Sequence, residues 1–163
     1  MQEYFSYFNE YYQLLLMRYE RLNELRENNE WSLDAETYLD MIIVQLRALL
    51  CEKKVSQEFP FKYTIQQVLS MDVDDARLNA INALMETVMV SGEGKYEDWT
   101  VRDVIKIVAD KTICHYDTYH DRKNPQWELQ QWLKDLFIDK SKEINLDYIM
   151  NTIKGVLYNG VQM

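Results

Sequence analysis

A chain of 163 residues falls within the roughly 100–200 residues of one domain, so residues 1–163 are read as a single domain. With 18 Lys and Arg against 27 Asp and Glu, its net charge of −9 repels a phosphate backbone and excludes general coating of nucleic acid. A 47% share of hydrophobic residues excludes a disordered tail, and only 4 Gly and 2 Pro exclude a turn-rich sandwich or barrel, which predicts an all-α single compact bundle of six or seven helices.

From Gln2 to about Asn28 nothing breaks a helix, and Phe5, Phe8, Tyr12, Leu15, Tyr19 and Leu22 recur at three- and four-residue steps. Tyr4, Phe5, Tyr7, Phe8, Tyr11 and Tyr12 crowd its first turns with more rings than one buried stripe needs. Tyr4, Phe8 and Tyr11 are therefore candidate contact residues, while rings that only edge the core would need no partner. Ser32 or Asp34 is placed to cap a second helix running to about Lys54, with Leu39, Ile42, Ile43, Leu46, Leu49 and Leu50 on its apolar face and Asp40, Val44, Arg47 and Cys51 along one flank.

Phe59-Pro60-Phe61 stops that helix, and Thr64 with Gln67 opens a short one carrying Ile65, Val68 and Leu69. Asp72 or Asp74 then caps a helix through Leu78, Ile81, Leu84, Met85 and Val88 to about Val90, followed by the loop Ser91-Gly92-Glu93-Gly94. Thr100 and Asp103 have capping-box spacing at the start of a helix through Val101, Val104, Ile105 and Val108 toward Cys114. Asn124-Pro125 begins another helix, with Trp127, Leu129, Trp132, Leu133, Leu136 and Phe137 as its apolar positions. Leu146, Ile149, Met150, Ile153, Val156 and Leu157 define the last, with Gly160 as its stop.

No apolar run reaches the roughly 18 residues of a membrane span, and Met1-Gln2-Glu3-Tyr4-Phe5 lacks a basic leader region, so a cytoplasmic protein with no membrane partner is expected. Cys51 and Cys114 are read as reduced thiols. No cofactor-binding loop, hydrolase elbow or Cys-x-x-Cys array is present in the sequence, so no cofactor is expected.

Both histidines lie between Asp110 and Lys123. If α winding continues past Val108, Val104, Val108, Lys111 and His115 fall at i, i+4, i+7 and i+11, which carries Lys111 and His115 inward. A lysine near a core edge beside a histidine that titrates near neutrality is a general acid–base pair. The same two residues at a helix C-terminus also complement the helix dipole without any chemistry. His115, Asp117, His120 and Asp121 pack four nitrogen and oxygen donors into seven positions and form a metal alternative, without the spacing of a zinc helix or calcium loop.

A helical chain whose late helix carries Lys111 followed by His115 resembles the HEPN superfamily of helical ribonucleases and defence effectors. The resemblance covers Lys111 to His115. It implies that His115 assists attack by an RNA 2′-hydroxyl and Lys111 stabilises the phosphate, without metal and at a dimer interface. Arg47 and Arg102 are then further candidates for phosphate contact. The leading expectation is nonetheless binding of another protein, carried by the aromatic first helix and the acidic surface. A phage- or plasmid-encoded modulator, or one component of a defence pair, fits that description. Metal-independent RNA cleavage is the alternative, and a homodimer is compatible with either.

Overall fold

The computed structural model describes residues 2–28, 31–51, 65, 75–92, 98–113 and 125–158, with side chains placed at these positions except 2–7, 75, 111–113, 125–128 and 158. Among the described residues helices dominate, with one two-stranded sheet. The chain divides into two compact units, Met1–Thr64 and Ile65–Met163, and each is described by itself.

The first unit is a helical hairpin of α1 (Gln2–Glu27) and α2 (Leu33–Leu50). Phe8, Tyr12, Leu15, Tyr19 and Leu22 sit at steps of four and three, the spacing that keeps residues on one face, and all five are buried. Phe8 and Tyr12 stack with ring centroids 6.4 Å apart and planes 8° from parallel. Leu39, Ile42, Ile43, Leu46, Leu49 and Leu50 of α2 are also buried. Of the two capping candidates, Ser32 is the N-cap: its Oγ accepts from the Ala35 amide at 3.1 Å. The helix ends at Leu50, where the Cys51 amide still donates to the Arg47 carbonyl at 2.9 Å. Cys51 is buried, and Cys114 lies outside the described residues.

In the second unit, α3 (Asp75–Glu86) is followed by β1 (Val88–Val90), β2 (Trp99–Thr100), α4 (Val101–Ile107), a π-turn (Val108–Ile113), α5 (Pro125–Asp135) and α6 (Leu146–Tyr158). The helix expected to run to Val90 stops at Glu86. Val88 and Val90 are β-branched residues that suit extended backbone, and they pair antiparallel with Thr100 and Trp99 across an irregular register. The Gly92 amide donates to Asp98 Oδ1 at 2.7 Å. The capping box forms as its spacing requires: the Asp103 amide donates to Thr100 Oγ1 at 3.3 Å and the Thr100 amide to Asp103 Oδ2 at 3.0 Å.

Pro125 opens α5, where its missing amide donor costs nothing. Asn124, its expected cap, and the cap candidates Asp72 and Asp74 lie outside the described residues, as does the short helix expected from Thr64, apart from Ile65, which is buried. The α5–α6 connection is organised by Asn145, whose Nδ2 donates to the Asp139 carbonyl at 3.2 Å and the Lys142 carbonyl at 3.1 Å, while its Oδ1 accepts from the Tyr148 amide at 3.1 Å. In α6, Leu146, Ile149, Met150, Ile153, Val156 and Leu157 are all buried, and the helix packs on α3. Among the described residues no helix is long and apolar enough to cross a membrane.

Candidate functional site

The aromatic start of α1 separates into two faces. The side chain of Tyr4 is outside the described set. Phe8, expected as a contact residue, is only 3% exposed and stacks on Tyr12; its place on the α1 core stripe assigns it to packing. Tyr11 lies off that stripe and is 37% exposed. Leu14 (39%) and Met17 (65%) follow it at three-residue steps, so an exposed apolar strip winds from the edge of the core stripe at Tyr11 to the outer side of α1 at Met17.

This strip borders a groove of about 510 Å³ between α1 and α2. Leu14 and Met17 from α1 and Tyr38 and Met41 from α2 supply its apolar lining, with Arg18, Glu20, Arg21 and Glu24 around them. Arg21 Nη1 donates to Glu24 Oε2 at 2.8 Å, and this bond holds the guanidinium pKa above its ordinary value. Partial burial pushes the Tyr11 phenol up, opposed by a hydrogen bond from the Gln45 side chain and by the charge of Arg18. Gln45 itself is buried; its Nε2 donates to the Tyr11 carbonyl at 3.5 Å, and its Oε1 has no hydrogen-bond partner among the described residues. The site thus offers apolar contact area, ring edges and both signs of charge. That is a surface for recognising a side-chain array, with no nucleophile activated among its members.

The segment singled out for chemistry begins in the π-turn. The backbone of Lys111 lies in this turn, whose hydrogen bonds span five residues where those of an α-helix span four. Val108 and Ala109 are fully buried in this turn, and α5 packs against it. The Lys111 side chain and all of His115, Asp117, His120 and Asp121 lie outside the described residues. Arg102 Nη1 donates to Glu86 Oε1 at 2.7 Å, which ties α4 to α3 and commits the cation to a carboxylate. Arg47 is half-buried on α2 and belongs to the other unit.

The sequence reading passes over Leu14, Met17, Tyr38 and Met41. The signal for Leu14 is a second set of three- and four-residue steps on α1, Tyr11, Leu14, Arg18, Arg21 and Leu25, interrupted by the two arginines; Met17 follows Leu14 by three residues, and Tyr38 and Met41 are three apart on α2. It also passes over Lys134, which is 1% exposed on α5 at an apolar phase beside Leu133 and Phe137. No family model, curated protein or solved structure matches this chain.

Proposed function

We propose that this protein acts by binding another protein chain through the outward strip of α1 and the groove beside it. The observation that carries this reading is the exposure of Tyr11, Leu14 and Met17 along one side of a helix whose opposite side is fully committed to its core. A surface helix with a single apolar stripe has no need of the second one. Met is the side chain best able to adapt to a partner's shape, and Tyr combines contact area with a polar tip. The test is co-purification from the native host with the wild-type chain and a Leu14→Asp, Met17→Asp variant. Strip-dependent recovery of a bound chain supports the reading; protein that elutes alone and monomeric at low salt contradicts it.

A second reading rests on the π-turn. Such turns concentrate at functional sites, and this one leads into the segment holding both histidines. On that reading the chain is a metal-independent ribonuclease of HEPN type, with His115 assisting 2′-hydroxyl attack and Lys111 meeting the phosphate. Incubation with RNA decides it: cleavage that survives a chelator and disappears in His115→Ala supports the enzyme, and intact RNA removes it.

A further inference from the structure

The charges around the groove distinguish among its possible occupants. At ~100° per residue, Arg18 and Glu20 stand on opposite edges of the α1 strip, with Arg21 and Glu24 nearer its centre on the same two sides. One edge therefore reads Tyr11, Leu14, Arg18, and the other Gln13, Glu20, Glu27, with Met17 between them. Arg18 and Glu20 have no ion pair among the described residues, and Arg21 and Glu24 spend theirs on each other at side-chain exposures of 51% and 63%. With exposed Glu10 near the centre and Glu27 on the acidic edge, the face carries four carboxylates against two guanidiniums, and one helix carries both a basic and an acidic edge.

We infer that the occupant of this face is a second copy of the same chain, with the two α1 helices parallel and related by a two-fold axis along their length. This rests on the reading of the strip as a protein-binding surface and names its partner. The symmetry follows from the charges. A two-fold axis along the helices exchanges the edges, so Arg18 of each copy meets Glu20 of the partner and Arg21 meets Glu24 of the partner. An antiparallel pair sets basic edge against basic edge and acidic against acidic, which is repulsive. The parallel arrangement also places Met17 beside its symmetry mate and lays the acidic edge of each α1 into the groove bounded by Tyr38 and Met41 of the other. The contact is isologous, so it closes at a dimer.

Charge exchange tests this on the full chain. One variant carries Arg18→Glu and Arg21→Glu, the other Glu20→Arg and Glu24→Arg. Light scattering is expected to give a dimer mass for the wild type, half that mass for each variant alone, and the dimer mass again when the two variants are mixed in equal amounts. A dimer that survives both reversals, or variants that fail to associate on mixing with helicity equal to wild type, overturns the inference. Should either variant lose helicity, Met17→Cys alone and an equal mixture of Leu14→Cys and Gln13→Cys chains replace it. Parallel in-register helices cross-link position 17 to its mate and position 14 to position 13 of the partner, whereas failure of either contradicts them. A monomeric wild type that still captures a host protein in a Leu14- and Met17-dependent way removes the self-association and leaves the binding reading standing. A monomer that captures nothing removes both.

Discussion

Gln45 shows how far a single side chain departs from its surroundings. It is 2% exposed, one amide bond is stretched to 3.5 Å, and its oxygen is left without a partner among the described residues. A buried polar atom without a partner keeps its full desolvation cost, so an apolar side chain of similar shape is favoured. Gln45→Met is expected to raise stability by about 1 kcal/mol, read as a higher urea midpoint at unchanged slope. Asp139 is the opposite case. Its Oδ1 accepts from the Ser141 hydroxyl at 2.6 Å and the Ser141 amide at 3.0 Å, and these bonds hold its carboxyl below the ordinary aspartate value. With the folded pKa depressed, the associated stability is present above the unfolded aspartate pKa and is lost as pH falls through the lower folded one. An NMR titration should place Asp139 below free aspartate, and Ser141→Ala should move it upward; a curve at the ordinary value contradicts the assignment.

At the scale of elements, the sequence is most legible where local rules act alone. Ser32 and the Thr100–Asp103 box cap their helices because the bonds are made within four residues. The six apolar positions of α6 are all buried because their period matches the helix. The strand at Val88–Val90 is not legible as such, since its helical-looking spacing is decided by pairing with residues about ten positions away. The π-turn is invisible for another reason: an i→i+5 closure leaves no mark in an apolar pattern judged against 3.6 residues per turn, and the inward placement of Lys111 and His115 depends on that period. Gly155 illustrates the converse, a residue whose environment the sequence does not reveal. It lies inside α6 beside a groove of about 340 Å³ shared with Ala76 and Ala80 of α3, and a Cβ built there meets nothing within 4 Å. Gly155→Ala should therefore stabilise the fold by about 0.5–1 kcal/mol through backbone entropy alone, and a lower melting temperature would show that the groove needs the glycine.

Across the whole molecule, composition reaches the helical class and no further. Length and hydrophobic content do not register a division at Thr64 and Ile65, because each unit taken separately has the same composition logic as a single domain. The outward strip of α1 escapes the sequence because its core stripe already explains the helix, and Arg18 and Arg21 mask the second periodicity as ordinary solvated charge. Once the structure assigns Phe8 and Tyr12 to the core, the surplus of apolar side chains on α1 falls on Tyr11, Leu14 and Met17. The self-association therefore stands on whether that surface is a contact between copies of the chain. Sedimentation of the wild type and of the Leu14→Asp, Met17→Asp variant at equal concentration and low salt measures it most directly. The account predicts an associated wild type and a monomeric variant with unchanged helicity, and identical sedimentation of the two would contradict it.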